Sequence, residues 1–305
     1  MDHIFTTTAL SKRYRHTKAL DQLSMQVPRG AIYGFVGRNG SGKTTLIRLL
    51  CGLQAPSGGS FRLYDAENTS PGIHLARRRL GAVIETPSFY HHLSAADNLR
   101  QQYRILGLPS FADIIPDLLR LVGLSDTGRK EARNFSLGMK QRLGIAMALA
   151  GHPDFLVLDE PTNGLDPQGI IEIRELILRL NREEGITVLI SSHILDELSR
   201  LATHYGIIDG GRMVKELSAA ELDANCRKAL RVRVSDIRAL TRVLDARGLD
   251  YAVADDHSAD IYAELAVSDL VHALDLENCA LLSAETRDES LESYFISLVG
   301  GERHA

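Results

Sequence analysis

From residue 18 the chain sets apolar positions among polar ones (Leu20, Leu23, Met25, Val27), turns at Pro28, Arg29 and Gly30, and runs into the apolar stretch AIYGFV. This pattern predicts a hairpin-like entry into a buried strand. After Gly37 the sequence is glycine-rich, and from Thr44 to Gly52 it takes a helical period through Leu46, Ile47, Leu49 and Leu50. LGAVIE (80–85) reads as a second strand, followed by a mostly helical region over about 95–150 with breaks at Gly107–Pro109 and Gly123–Thr127. Two further buried strands, FLVLDE and ITVLISS, flank a helical period through Ile170, Ile173, Leu176, Ile177 and Leu180. Apolar strands alternating with helices imply an α/β fold, a parallel sheet covered on both faces.

Beyond the GIIDGGRMV hairpin near 206–214 the character changes, and no further glycine loop or cluster of reactive side chains follows. LRVRV, YAVAD, ADIYAEL and LLSAET read as strands, with helices in SDIRALTRVLDARG and SDLVHALDLENC. The resulting β-α-β-β-α-β order is that of a small ferredoxin-like α+β domain. A last helix, SLESYFISLV, places Leu291, Tyr294, Phe295 and Leu298 on one face, expected to pack on its own domain.

Composition narrows the functional classes. In 305 residues, 35 Lys and Arg stand against 39 Asp and Glu, for a net charge of -4. A near-balanced charge without a polybasic tract argues against a general nucleic-acid binder. Cys51, Cys226 and Cys279 are odd in number and far apart, which favours neither a disulfide framework nor a zinc site and suits a reducing cytosol. No run of about 18 apolar residues is present, and MDHIFTTTALSKRYRH lacks a signal-peptide core, so the expectation is a cytoplasmic chain that does not itself span a membrane.

The chemistry gathers in four segments. Gly37-Arg-Asn-Gly-Ser-Gly-Lys43-Thr44 fits GxxxxGK[ST] after a strand and at the opening of a helix. Its glycines let backbone N–H groups converge on phosphate oxygens, Lys43 reaches the β and γ phosphates, and the Thr44 hydroxyl suits Mg²⁺. Asp159-Glu160 ends a buried strand, where ligands of parallel sheets collect. Asp159 suits a water-mediated Mg²⁺ contact and Glu160 the activation of water. Asn134-Phe-Ser136-Leu-Gly138-Met-Lys-Gln141-Arg142 precedes a helix of small residues, where Ser136 alone would read as an N-cap. His193 follows the strand ITVLISS and precedes the acidic pair Asp196 and Glu197. The run Arg77-Arg78-Arg79 is read as a solvated helix face.

In this order and spacing, residues from about 4 to 215 resemble the ATP-binding cassette ATPases, the nucleotide-binding subunits of ABC transporters. The resemblance implies a P-loop NTPase domain over 1–217, with a parallel-sheet core, an antiparallel β subdomain and a helical subdomain at about 87–150. Residues 218–305 would form the small C-terminal domain. It makes Gly37, Asn39, Gly40, Ser41, Gly42, Lys43, Thr44 and Thr45 the ATP-binding loop, with Asp159 and Glu160 as the second motif. His193 becomes the switch histidine, and Gly164-Leu165-Asp166 the loop whose Asp166 meets nucleotide at a dimer interface. Ser136 and Gly138 match the family signature, with Leu137 in place of a glycine and Met139 in place of a glutamine. Tyr14 falls where such proteins stack an aromatic on adenine, although on residues alone it reads equally as one of nine tyrosines covering an edge strand. The resemblance further implies ATP and Mg²⁺ as ligands and a second ATP-binding subunit, since the signature of one subunit contacts ATP on another. It also implies a separate transmembrane permease, with the chain peripheral on the cytoplasmic face of the membrane.

One departure narrows the subgroup. Glu85, in IETPSFYHHLSAADNL, stands where most members carry a glutamine beside Mg²⁺ or the attacking water. A carboxylate only accepts hydrogen bonds and carries charge, tolerable beside Mg²⁺ but repulsive beside a γ-phosphate. This glutamate, its surrounding segment and the ending SLESYFISLVGG resemble exporters that protect bacteria against lantibiotics and bacitracin-type peptides. The expected function is ATP hydrolysis driving such export, with a general ABC exporter subunit as the alternative. A soluble ABC ATPase acting on ribosomes or DNA is opposed by the single cassette, the absence of a heptad run and the negative charge. Lys43, Asp159, Glu160 and His193 together oppose a module that does not hydrolyse ATP.

Overall fold

The computed structural model describes residues 2–108, 113–225, 229–263, 265–287, 294, 295 and 298. The chain divides into two units, Met1–Ala219 and Ala220–Ala305. The first begins with β1 (His3–Tyr14), β2 (Thr17–Pro28), β3 (Ile32–Val36), α1 (Lys43–Leu50), β4 (Gly58–Leu63), β5 (Ala66–Glu67), α2 (Ile73–Arg77) and β6 (Leu80–Val83). Helices α3 (Ala95–Ile105), α4 (Ile114–Leu121) and α5 (Leu137–Leu149) follow, with two single-turn 3₁₀ segments between α4 and α5. The unit closes with β7 (Phe155–Asp159), α6 (Pro167–Arg182), β8 (Thr187–Ser192), α7 (Leu195–Ser199), β9 (His204–Asp209) and β10 (Arg212–Ser218). No described helix is long and apolar enough to cross a membrane.

Two sheets carry this unit. The larger has the order β10-β9-β3-β8-β7-β6, parallel throughout except for the antiparallel edge strand β10. The smaller is antiparallel in the order β2-β1-β4-β5. This arrangement corrects the expected hairpin: β2 pairs with β1, whereas β3 lies between β8 and β9 in the other sheet. The burial patterns give the reason. β2 buries Leu20, Leu23, Met25 and Val27 while the residues between them reach solvent, the pattern of a sheet with one face on the core. Every residue of β3 is buried, as a strand covered on both faces requires. The Pro28–Gly30 turn passes the chain from one sheet to the other. β1 and β4, with weak patterns of their own, obtain their place from this pairing.

Helix α1 sits in a core shared by both sheets. Its Leu46, Ile47, Leu49 and Leu50 are fully buried with Phe5, Leu23 and Phe61 of the antiparallel sheet and Phe155 and Val157 of β7. Burying such side chains stabilises by about 1.5–3 kcal/mol each, so the helix that opens at the glycine loop is held firmly at its apolar face. The arginine run is exposed at Arg78 and Arg79, as expected from sequence, but not at Arg77, and two of the three side chains have partners. Arg77 donates from Nε to Leu50 O at 2.9 Å and lies over the Phe61 ring, and Arg79 stacks on Tyr64 and pairs with Asp154; only Arg78 is exposed without such partners. Two of the three side chains therefore tie elements together.

After α8 (Ala219–Asn225), the second unit runs β11 (Ala229–Val234), α9 (Ile237–Ala246), β12 (Tyr251–Asp255), β13 (Ser258–Ile261), α10 (Val267–Leu276) and β14 (Leu281–Arg287). This is the β-α-β-β-α-β order, in an antiparallel sheet ordered β12-β13-β11-β14. Its core gathers Val232, Val234, Leu240, Leu244, Ile261, Leu270 and Leu274. Of the last expected helix, Leu291 lies outside the described residues, as does Cys226; Phe295 is described and is 9% exposed.

Candidate functional site

The glycine loop leaves β3 at Gly37, whose N–H donates to Ser192 O at 3.2 Å and so fastens the loop to β8. A Cβ on Gly37 would fall 2.5 Å from both Ile208 O and Ser41 Oγ, and Gly42, at φ +111°, would bring one 2.5 Å from Ala19 O. Neither position tolerates a side chain, the first for space and the second also for its left-handed backbone. Lys43 is buried, and its ammonium donates to Gly37 O at 2.6 Å and Arg38 O at 3.3 Å. The lysine thereby closes the loop on itself. Asn39, Gly40, Gly42, Lys43, Thr44 and Thr45 line a cavity of about 310 Å³ together with Glu160 and His193. Ala19 of β2 and Asn163 also line it, neither of which the motifs had indicated. Larger cavities, about 570 and 620 Å³, lie elsewhere; neither contains this loop or these acids.

The sheet order places the other chemistry beside the loop. β8 lies between β3 and β7, so Gly37, Glu160 and His193 follow three neighbouring strands at their carboxyl ends. Asp159 is 1% exposed; its Oδ1 accepts from Ser191 Oγ at 2.6 Å, while Oδ2 is buried without a hydrogen-bond partner. Ser191 Oγ also accepts from Glu160 N at 2.9 Å, so one hydroxyl aligns both acidic residues. Glu160 has φ +50°, a left-handed conformation that costs a non-glycine residue about 1–3 kcal/mol. Its Oε1 lies 3.2 Å from Lys43 Nζ and its Oε2 lies 2.7 Å from His193 Nδ1. A carboxylate only accepts, so Nδ1 carries the proton in this contact and Nε2 is left for a second partner.

Outside the glycine loop and the acidic strand end, five candidate residues do not line this cavity. Tyr14 is 40% exposed, its hydroxyl donates to Gln54 Oε1, and Lys12 Nζ lies 5.2 Å from its ring centre. Glu85 turns away: its carboxylate is 2.6 Å from Arg48 Nη2 on α1 and largely exposed, not beside Thr44 and Asp159. Ser136 caps α5, accepting from Met139 N at 3.2 Å, and Asp166 caps α6, accepting from Gly169 N at 3.1 Å. Gly138 follows in the first turn of α5, after Leu137, which is 48% exposed and whose Cδ2 would lie 3.3 Å from a Cβ on Gly164. The signature and the Gly164–Asp166 loop are thus neighbours outside the cavity. Ser41, inside the loop, is 4% exposed and its hydroxyl has no hydrogen-bond partner.

The donors present suit a polyphosphate. Backbone N–H groups at the opening of α1, the Lys43 ammonium and the imidazole of His193 converge on one cavity, opposed by the carboxylate of Glu160. Among the described residues no group of three or more His, Cys, Asp and Glu could hold a metal by itself. A Mg²⁺ ion fits nevertheless, because it characteristically uses one or two carboxylates plus substrate phosphates, and Asp159 Oδ2 is a buried acceptor without a partner. Burial pushes the thiol of Cys51, at the end of α1, up to about 12, which disfavours the thiolate form.

Known proteins agree with this geometry. The ABC transporter family profile matches residues 20–163. The bacitracin transport ATP-binding protein BcrA of Bacillus licheniformis is 41% identical over 304 residues, covering 99% of each chain. The protein of the same name from Enterococcus faecalis is 36% identical over 99% of this chain and 98% of its own. The lantibiotic transport ATP-binding protein SrtF of Streptococcus pyogenes is 42% identical over 207 residues, 68% of this chain and 87% of that one. Among solved structures, cbiO1 of Clostridium perfringens, part of the ABC transporter complex cbiONQ, superposes with a TM-score of 0.66 at 26% identity, over 80% of this chain and 95% of that one. With a glycine loop, an acidic strand end and a histidine assembled at one cavity, and with relatives similar along the whole length, the chain belongs to the ATP-hydrolysing, ATP-binding subunits of ABC transporters.

Proposed function

We propose that this chain is the motor of an exporter of bacitracin- or lantibiotic-type peptides, pairing with a second ATP-binding subunit and driving a separate membrane permease. The observation that carries the motor half is the placement of Glu160 between Lys43 and His193 at the mouth of the glycine loop. The cargo half is supported by the full-length similarity to bacitracin transport proteins.

In this reading Lys43 and the backbone from Asn39 to Thr45 bind and orient the phosphates. Glu160 accepts the proton of the attacking water through Oε1 or Oε2 as the water oxygen bonds to the γ-phosphorus and the bond from that phosphorus to the bridging oxygen breaks, the electron pair leaving with ADP. His193 donates from Nδ1 to Glu160, which fixes the base, and turns Nε2 toward a second partner, to which it donates when the ring is protonated. Thr44 and Asp159 would hold Mg²⁺, which supplies neutralisation of the phosphate oxygens. Tyr14 would stack on adenine once the nucleotide extends beyond the loop. Ser136, Gly138 and Asp166, outside the cavity of their own chain, would complete the site of a partner subunit. The exposed Tyr90 and the neighbouring Phe89 would face the permease, with the chain peripheral on the cytoplasmic side of the membrane.

Two measurements test this. The ATPase rate per chain of the purified protein should rise with protein concentration, as a dimeric site requires; a constant specific rate would remove the head-to-tail pairing. Cells carrying the chain with the permease that co-purifies with it should survive bacitracin better than cells carrying the Glu160→Gln form, and equal survival would remove the proposed cargo.

A further inference from the structure

Glu85 raises a question that the ATP site does not answer: what keeps a carboxylate in this loop from facing the phosphates. The residue follows β6 in the left-handed region, at φ +57°, and its Oε1 lies 2.6 Å from Nη2 of Arg48. Arg48 belongs to α1, one helical turn beyond Thr44, and so is carried by the same rigid element that opens at the phosphate loop. The contact is one of several between α1 and the segments on either side of β6. Before the strand, Arg77 donates to Leu50 O at 2.9 Å and Leu49 O at 3.3 Å, satisfying carbonyls at the C-terminal end of α1. After the strand, Glu85 takes Arg48. Five residues beyond Glu85, Tyr90 donates from N to the buried Asn98 of α3 at 2.7 Å, and Asn98 donates to Tyr90 O and Ser94 O, both at 3.0 Å. The segment 85–90 is therefore strung between α1, through Arg48, and α3, through Asn98.

We infer that Arg48 is a positioning residue for ATP turnover, holding the Glu85 carboxylate on α1 and away from the nucleotide so that movement of the phosphate-loop helix is passed to segment 85–90. This deepens the motor reading above and rests on it. The physical grounds are charge and reach. A glutamine at position 85 would need no counter-charge, whereas a glutamate near a triphosphate does, and the guanidinium supplies it with directional donors. Both partners are partly exposed, Arg48 at 37% and Glu85 at 58%, so the pair adds little to stability, and its consequence lies in where the carboxylate points. Segment 85–90 has no other ion pair among the described residues, so loss of Arg48 leaves Glu85 without a charged partner.

The test is a double-mutant cycle read in steady-state ATPase kinetics, with melting temperature measured alongside. In the wild-type background Arg48→Ala should lower kcat/KM by about tenfold, mainly through KM for Mg-ATP, because a released carboxylate repels bound nucleotide. In the Glu85→Gln background the same change should alter kcat/KM by less than about twofold, since the charge it balances is gone. Arg48→Lys should restore part of the loss by keeping the charge without the fork. Equal losses in the two backgrounds, or a fall in melting temperature that follows kcat/KM in both, would overturn the inference and make Arg48 a packing residue. Failure of the motor reading is separable, because it would appear as absence of Mg-ATP hydrolysis by the wild-type chain, before any variant is compared.

Discussion

Glu160 and Glu85 occupy equivalent places on neighbouring strands and end in opposite situations. Each lies just beyond the carboxyl end of its strand, the edge strand β6 being paired with β7, and each has a left-handed backbone, φ +50° and +57°. The Glu160 side chain is 20% exposed and its two oxygens face Lys43 and His193; that of Glu85 is 58% exposed and faces Arg48. Left-handed backbone at a non-glycine residue persists where its surroundings impose it, and here two different surroundings do so. At Glu160 the restraint is internal to the sheet: its N–H is held by Ser191, the residue that also holds Asp159. At Glu85 the visible side-chain restraint comes from a helix. An acid at a strand end thus faces the cavity or turns out to a helix depending on which partners its neighbours present.

That contrast can be broken from either side. The largest effect is expected at Glu160: Glu160→Gln should lower kcat by about a hundredfold or more while ATP remains bound, because an amide cannot accept the water's proton. Turnover near wild type in a single-turnover assay would remove Glu160 from the chemistry. His193→Ala should cost about ten- to a hundredfold in kcat, leaving Glu160 with Lys43 as its one side-chain partner in place of two; a change confined to KM would show that the histidine only binds. Ser191→Ala should be milder, about threefold to tenfold in kcat, with some loss of melting temperature, since both Asp159 oxygens would then be buried without a donor. An unchanged melting temperature would argue that water replaces the hydroxyl. The smallest effect on ATP itself is expected for Glu85→Gln, which should keep ATP affinity within about twofold. Its consequence should appear in cells as altered protection against bacitracin, and unchanged protection would end the case for Glu85 as a relay.

Much of the cavity was legible because its chemistry is local. Gly37 to Thr45 form a continuous segment whose spacing already requires a loop between strand and helix, and the structure gives that loop its expected shape around Lys43. The strand ending in Asp159-Glu160 and the helix with Ile173, Ile177 and Leu180 inward were likewise readable from apolar period. What escaped was pairing. The stretch 18–36 looked like one hairpin, because alternation in β2 and continuity in β3 are visible separately while the sheet to which each belongs is not. The partners of Arg77 and Arg79 escaped as well, because a charge run carries no sign of the ring or carbonyl it will meet. Ala19 and Asn163 have no signal in their residue types, and enter the cavity only because β2 and the turn after Glu160 pass its rim.

The sequence by itself determined the chemistry available: a glycine loop with one lysine, two acids at the end of an apolar strand, a histidine after another, and a glutamate in a position of choice. Residue identity and short spacing are enough for this, because phosphate binding and proton transfer need particular groups within a few residues of a strand end. Only the tertiary structure decided which acid meets which cation. The order β3-β8-β7-β6 brings Glu160 within reach of Lys43 and His193, and the packing of α1 between two sheets brings Arg48 to Glu85. Those contacts span 33 to 117 residues of chain, distances over which no local pattern carries information.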